Sequence, residues 1–178
     1  MTNVPNVYDA EPIPASAMAE VQQILNSGDL FRYTSDTAPV ALLEAEFAAT
    51  LGSRYALAVS SCSAALFLSL KALNLPRNAK VMIPAFTFGA VPSAVVHADC
   101  IPVLCECGNN YRIDLDDFEV KLPDVDAVII SHMRGHTSDM DVIMALCDAA
   151  NTPVIEDAAH SLGTTWHDQN IGTIGKIG

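Results

Sequence analysis

Apolar residues follow two different patterns along this chain. A helical pattern, with apolar positions three and four residues apart, begins after Pro14 and stops near Gly28. A second helical pattern covers 42–51 and stops before Gly52. We therefore interpret 1–52 as an N-terminal helical arm.

From residue 53 onward, short apolar runs alternate with helical segments. The runs show little polar alternation, which is typical of strands that are buried on both faces. The predicted strands are 55–59, 81–84, 101–105, 127–131 and 153–156. The predicted helices are 62–75, 88–97, 115–122 and 140–151. This alternation indicates an α/β fold with a mostly parallel sheet and helices on both faces, and we find no repeat or linker that divides 53–178.

Composition and charge exclude several classes of function. Of the 178 residues, 51% are hydrophobic and 17% are charged, which is typical of a globular domain with a sizeable core. Nine basic and 21 acidic residues give a net charge of −12, so we predict neither nucleic-acid nor membrane partners. The N-terminus lacks the basic and apolar regions of a secretory signal, and we expect a cytoplasmic protein.

The cysteines and histidines do not form a convincing metal motif. Five cysteines are an odd number without a paired framework, and we expect reduced thiols. Cys105 and Cys107 lack a second pair to complete a tetrahedral zinc site. His132 and His136 are four residues apart, but Gly135 between them argues against a continuous helix. We therefore predict no metal site.

Serines surround a cysteine where the first predicted strand leads into a helix, at 60–63. Amides and hydroxyls at a helix N-terminus favour a phosphate, although the serines could equally be a simple helix cap. A helix N-terminus also lowers a thiol pKa, so Cys62 could be a nucleophile with His160 or His132 as its base. No local signature of a cysteine hydrolase surrounds it.

Two further segments place chemistry at strand ends. Phe86 and Phe88 follow the strand at 81–84, either as core residues or as a stacking surface. Asp157 closes the run 153–156, either capping the next turn or presenting a carboxylate at the sheet edge. Ligands of parallel sheets bind where the strands end. We therefore predict that Asp157, Ser63 and Phe88 meet in one pocket.

Three motifs together resemble the DegT/DnrJ/EryC1/StrS family of sugar aminotransferases, which use pyridoxal phosphate (PLP). They are Ser60-Ser-Cys-Ser-Ala-Ala-Leu66, Pro84-Ala-Phe-Thr-Phe88 and Val154-Ile-Glu-Asp-Ala-Ala-His-Ser-Leu-Gly163. The resemblance covers 42–178. It implies PLP fold type I, the aspartate aminotransferase-like large domain, with 53–178 as a partial PLP-binding domain. It also implies a homodimer with sites shared across the interface.

The resemblance implies a role for each site residue. Cys62 and Ser63 match the positions that hold the cofactor phosphate, although the family has glycine in place of Cys62. Phe88 matches the ring that stacks on the pyridine. Asp157 matches the carboxylate that holds the proton on the ring nitrogen, a group that PLP needs to act as an electron sink. His160 lies where the family carries His or Gln against the 3′-oxygen of the cofactor.

Two loops follow from the same resemblance. Phe86 is expected to point into the domain, on the opposite side from Phe88. Ser138-Asp139-Met140-Asp141 matches the start of a helix in the family, so 132–136 is expected to line the sugar pocket rather than to bind metal.

The implied reaction is transfer of an amino group, with glutamate as the expected donor, to a keto-sugar nucleotide. It belongs to amino-sugar biosynthesis for cell-surface polysaccharide or secondary metabolites. The Schiff-base lysine of the family is expected beyond Gly178, and Lys71, Lys80, Lys121 and Lys176 do not match it. We therefore expect a truncated domain that is inactive alone. The alternatives are a non-catalytic relic of this fold and a doubly wound cysteine hydrolase that uses Cys62.

Overall fold

The computed structural model describes residues 12–178, and the chain divides into two compact units, Met1–Phe47 and Ala48–Gly178. Residues 1–11 of the predicted arm lie outside the described residues. Both predicted N-terminal helices are confirmed as α1 (Ala15–Ser27) and α2 (Pro39–Leu51). Helix α1 ends at Gly28, which has a φ of 71° and donates its amide to the Ile24 carbonyl at 3.1 Å. Glycine adopts this left-handed conformation without steric strain.

Ala48–Gly178 is built on a sheet of four parallel strands in the order β2-β1-β3-β4. The strands are β1 (Lys80–Pro84), β2 (Ile101–Cys105), β3 (Ala127–Ser131) and β4 (Val154–Asp157). The helices are α3 (Cys62–Ala72), α4 (Ala90–His97), α5 (Leu115–Lys121) and α6 (Met140–Ala150). The predicted α/β fold is therefore confirmed, with helix ends within a few residues of their expected positions.

Helices cover both faces of this sheet, as predicted. Successive strand residues point to opposite faces. On one face, Ile83 and Ile129 pack in a buried cluster with Val95 of α4 and residues of α3. On the other face, Ile130 packs in a second buried cluster with Phe118 of α5 and residues of α6. Burial on both faces explains why these strands are apolar runs without alternation.

The predicted strand at 55–59 is wrong. No strand within residues 12–178 pairs with this segment, and the side chains of Tyr55 and Leu57 are 76% and 60% exposed. An apolar run becomes a strand only where a neighbour takes up its backbone hydrogen bonds and covers its side chains. The apolar pattern of this segment was therefore not sufficient to predict a strand.

The structure also contains short elements that the sequence pattern did not predict. A hairpin pairs β5 (Thr165–Trp166) with β6 (Gln169–Asn170), and 3-10 turns cover Leu122–Asp124 and Met133–Gly135. Two-residue strands are too short to produce a recognisable alternation of apolar and polar positions. Among the described helices, none is long and apolar enough to cross a membrane.

The two-sided core predicts unequal effects for two substitutions in α5. Phe118 is fully buried between α5 and the sheet, whereas Val120 is 76% exposed. We expect Phe118→Ala to lower the free energy of unfolding by about 3–5 kcal/mol, because it removes a large buried ring and leaves a cavity. The control Val120→Ala should change it by less than about 0.5 kcal/mol. Urea denaturation measures both, and equal effects would contradict the proposed packing.

Candidate active site

A cavity of about 300 Å³ lies at the carboxyl edge of the sheet. In the sheet, β1 lies next to β3 at this point. Along the sequence, β2 comes after β1 and before β3, and it pairs with the other edge of β1. Open parallel sheets bind ligands at such a switch in strand order, because the loops leaving the two strands diverge. The lining residues are Cys62, Ser63, Leu66, Phe88, Ala90, Val91, Ser131, His132, Met133, Asp157, Ala159 and His160.

The five predicted site residues, Cys62, Ser63, Phe88, Asp157 and His160, all line this one cavity. The predicted meeting of Ser63, Phe88 and Asp157 at the sheet edge is therefore confirmed. The part that each residue plays stays a prediction, and the surrounding contacts show what each side chain is equipped to do.

The N-terminus of α3 forms one end of the cavity. Ser61 is the N-cap, and its hydroxyl accepts the amide of Ala64 at 3.1 Å. The amides of Cys62 and Ser63 lie in the first turn, where the helix itself offers them no acceptor. Ser61 thus acts as the cap, while the next two residues leave donors and the positive end of the helix dipole for an anion.

Asp157 forms the opposite wall, at the last position of β4, and its side chain is largely buried. Its Oδ2 accepts the Ser131 hydroxyl at 3.1 Å. Its Oδ1 accepts two longer contacts, from the amide of Ala159 at 3.4 Å and from the thiol of Cys62 at 3.8 Å. Carboxylate oxygens accept hydrogen bonds, so these three donors hold the Asp157 side chain in place. The Ala159 contact shows that Asp157 also caps the following turn.

Ser131 is a polar neighbour that the sequence analysis missed. It closes β3 and is nearly buried, and its hydroxyl lies 2.8 Å from the hydroxyl of Thr87. The available signal was the same one that identified Asp157, namely a polar residue at the end of an apolar strand. Serine is common at strand ends, however, so the residue type alone gave it no weight.

The alternative of an activated Cys62 thiol is not supported by its surroundings. Burial, followed by the charge of Asp157 and the hydrogen bond to it, raises the pKa of the Cys62 thiol. Burial and a nearby carboxylate both oppose thiolate formation. The expected bases are also engaged, since Nδ1 of His160 accepts the amide of Arg134 at 3.2 Å. These contacts argue against a cysteine hydrolase.

His132 is fully buried against a second carboxylate, Glu156. The two are 3.4 Å apart, from Nε2 to Oε2. Oε2 also accepts the amide of Gly172 at 2.9 Å, and Oε1 accepts those of Ile174 and Gly175 at 2.7 and 2.6 Å. Burial opposes ionisation, but the hydrogen bonds outweigh it and hold the pKa of Glu156 below its usual range. This carboxylate thereby fastens the loop at 172–175 to the cavity wall.

The remaining candidates lie outside the cavity. The ring of His136 lies 6.0 Å from that of Tyr111, which in turn lies 5.0 Å from the ring of Phe86. Phe86 is 38% exposed, and its expected orientation into the domain stays a prediction. Within residues 12–178, no group of three or more His, Cys, Asp or Glu side chains is arranged to hold a metal ion.

No lysine of residues 12–178 lines the cavity. Lys80 begins β1, at the edge of the sheet opposite the cavity. Lys121 ends α5 and donates to the Leu104 carbonyl and to Asp117, at 2.8 and 2.7 Å. Lys71 lies in the last turn of α3. The amide of Lys176 is bonded to the Val154 carbonyl, at the amino end of β4.

Comparisons with known proteins agree with the fold. The sequence model of the DegT/DnrJ/EryC1/StrS aminotransferase family matches residues 12–178. The chain is 34% identical over 171 residues to the spore coat polysaccharide biosynthesis protein SpsC of Bacillus subtilis, a match that covers 94% of the chain and 43% of SpsC. It is 31% identical over 136 residues to GDP-perosamine synthase of Vibrio cholerae, covering 75% of the chain and 37% of that protein.

A crystal structure extends the same likeness to three dimensions. The aminotransferase from Psychrobacter cryohalolentis superimposes with a TM-score of 0.86 at 30% identity, covering 92% of the chain and 42% of that structure. The α/β fold is that of the aminotransferases of PLP fold type I. The chain belongs to the DegT/DnrJ/EryC1/StrS aminotransferase family. It spans less than half the length of these relatives.

The buried Glu156 network predicts a pH-dependent loss of stability. Because folding lowers the pKa of Glu156, its contribution is complete above the unfolded value of about 4.3 and is lost as pH falls through the folded value. At pH 7 we expect Glu156→Gln to lower the free energy of unfolding by about 3 kcal/mol, since one amide group then faces buried donors. Urea denaturation between pH 7 and pH 3 measures the difference.

The exposed Glu119 on α5 supplies the control, and Glu119→Gln should have little effect at any pH. The difference in the free energy of unfolding between the wild type and Glu156→Gln should become smaller below about pH 4.3. A difference that stays constant down to pH 3 would contradict the role of the ionised carboxylate.

Proposed function

We propose that this chain binds PLP and serves in the transfer of an amino group to a keto-sugar nucleotide. The observation that supports this most is the content of one cavity: a helix N-terminus, an aromatic ring and a buried carboxylate. PLP carries an anionic phosphate, a flat ring and a ring nitrogen that is basic. Each of these three groups has a chemically matched partner in the cavity.

The residues present fit the cofactor. Cys62 and Ser63 would hold the phosphate through their amides and the Ser63 hydroxyl. Phe88 is 69% exposed and lines the cavity, so its face is available for stacking on the pyridine. Asp157 would bond the protonated ring nitrogen, and His160 would lie near the 3′-oxygen. Cys62 has a side chain where the resemblance implies glycine, yet its thiol contacts Asp157 and leaves the first-turn amides free.

When bound, PLP supplies an electron sink for the carbon that carries the amino group. Asp157 would hold a proton on the ring nitrogen, and its negative charge would stabilise the positive ring. The donors around Asp157 hold its carboxylate in a fixed orientation. Phe88 would shield one face of the ring from water, and His132 with Glu156 makes the cavity wall rigid.

The substrate and setting follow from the relatives and the loops. Relatives named for GDP-perosamine synthesis and spore coat polysaccharide support a keto-sugar nucleotide, with an amino sugar as product. Glutamate is the proposed amino donor, and a cytoplasmic homodimer is the proposed form. Met133 lines the cavity, and the exposed Arg134 and His136 follow it in the same loop, so this loop is the proposed sugar contact.

The role of Asp157 predicts a split between binding and turnover. In an active protein that contains this chain, we expect Asp157→Ala to lower turnover by about 100-fold or more, because the carboxylate stabilises the charge that develops during reaction. PLP affinity should fall by only about tenfold, because the phosphate and ring contacts remain. The exposed Asp148 on α6 supplies the control, Asp148→Ala. Equal losses of turnover and affinity would show that Asp157 only positions the cofactor.

The placement of the lysines yields a separate prediction for residues 1–178. A lysine that carries PLP must reach the cavity, and none of Lys71, Lys80, Lys121 and Lys176 lines it. We expect these residues alone to bind PLP weakly and to catalyse no amino transfer. Borohydride reduction with PLP, followed by peptide mapping, should label no single lysine stoichiometrically. Stoichiometric labelling of Lys176 together with turnover would contradict this assignment.

A further inference from the structure

The carboxylate of Asp157 is the end of a line of three side chains. Thr87 Oγ1 lies 2.8 Å from Ser131 Oγ, which lies 3.1 Å from Asp157 Oδ2. Each residue comes from the carboxyl end of a different strand, because Thr87 follows β1, Ser131 ends β3 and Asp157 ends β4. Ser131 and Asp157 are also register partners in the parallel pairing of β3 with β4.

The direction of these hydrogen bonds follows from the chemistry of the carboxylate. An ionised carboxylate accepts but does not donate, so Ser131 must give its proton to Asp157. The Ser131 oxygen is then free to accept, and Thr87 gives its proton to Ser131. The result is a polarised chain from Thr87 through Ser131 to Asp157, in a nearly buried setting where such bonds strengthen one another.

This series of hydrogen bonds distinguishes the two oxygens of Asp157. Oδ2 is held by Ser131, whose side chain also lines the cavity. Oδ1 contacts the thiol of Cys62, which lines the cavity as well, and its contacts of 3.4 and 3.8 Å are long. Oδ1 is therefore the more weakly bonded oxygen, with acceptor capacity to spare. Thr87 also directly precedes Phe88, so the same hydrogen bonds connect the segment that carries the Phe88 ring to the carboxylate.

We propose that Ser131, supported by Thr87, is a positioning residue that fixes the carboxylate of Asp157 with Oδ1 directed at the ring nitrogen of the cofactor. This inference rests on the proposed binding of PLP. Ser131 acts through Asp157, so its loss should weaken the bond to the ring nitrogen selectively and leave the phosphate and stacking contacts intact.

A pair of ligands isolates that bond. PLP and its carbocyclic analogue, in which C–H replaces the ring nitrogen, differ only in the group that faces Asp157. The ratio of their dissociation constants, measured by fluorescence titration of the full chain, reports the contribution of this contact. We expect Ser131→Ala to reduce the preference for PLP by about fivefold, less than removal of the carboxylate itself, because the freed carboxylate can turn away. Ser131→Thr keeps the hydroxyl and should restore the preference.

Ser161 provides a matched control. It is equally buried, but its hydroxyl donates to the backbone carbonyl of His132 at 3.4 Å rather than to the carboxylate. Ser161→Ala should therefore leave the preference unchanged. Thr87→Val removes the outer hydroxyl without changing the size of the side chain, and should reduce the preference by about two- to threefold. This variant also tests the series of hydrogen bonds if Ser131→Ala does not fold.

The outcomes separate the two levels of the proposal. If the wild type prefers PLP and neither Ser131→Ala nor Thr87→Val alters the preference, the positioning role is overturned while PLP binding stands. An equal loss in Ser161→Ala also overturns it, because a general packing defect would then explain the effect. If the wild type binds both ligands equally or binds neither, the proposed contact of Asp157 with the cofactor fails first.

Discussion

The parallel pairing of β3 with β4 is the constraint on which the site depends. Its register places Ile130 beside Glu156 and Ser131 beside Asp157, and the amide of His132 extends the ladder to the Asp157 carbonyl at 3.1 Å. Because side chains alternate along a strand, Glu156 and Asp157 face opposite ways. A slip of one residue would exchange their surroundings. The cavity carboxylate would then lose its serine donor.

The two adjacent carboxylates show how surroundings assign different tasks to similar groups. Both oxygens of Glu156 are occupied, by three backbone amides and His132, so this side chain serves to hold the loop at 172–175. Gly172 in that loop has a φ of 91°, a conformation that favours glycine. Asp157 lines the cavity and keeps one oxygen only weakly engaged. Full occupation suits a structural anchor, whereas spare acceptor capacity suits a ligand contact.

A net charge of −12 does not prevent an anion site, because the site is local. The first-turn amides of α3 act over a few ångströms, where they count for more than screened charges at the surface. The two ends of the cavity therefore have opposite polarity, with hydrogen-bond donors at α3 and a carboxylate at β4. A ligand with a phosphate at one end and a protonated ring nitrogen at the other matches this polarity.

The sequence was sufficient to predict the strands of the sheet, the helices on both faces and the meeting of Ser63, Phe88 and Asp157. These features depend on apolar periodicity and on the rule that parallel strands end at one edge. The failed strand at 55–59 required a partner that the apolar pattern does not reveal. The roles of Ser131 and Thr87 depend on register, which residue types do not encode.

The raised pKa of the Cys62 thiol depends in part on Asp157, which lies 95 residues away in the sequence. The position at a helix N-terminus, taken alone, predicts a lowered thiol pKa, whereas the surroundings of Cys62 raise it. Contacts between distant strand ends decide the chemistry of this site, and they become visible only when the fold is known.

The central claim is that the Asp157 carboxylate holds a proton on the ring nitrogen of PLP. The most direct measurement is the ¹⁵N chemical shift of PLP labelled at that nitrogen and bound to the protein. A protonated nitrogen in the wild type that becomes unprotonated in Asp157→Asn, at a pH where free PLP is unprotonated, is the predicted result. An unprotonated nitrogen in the wild type, or the same shift in both proteins, would contradict the claim.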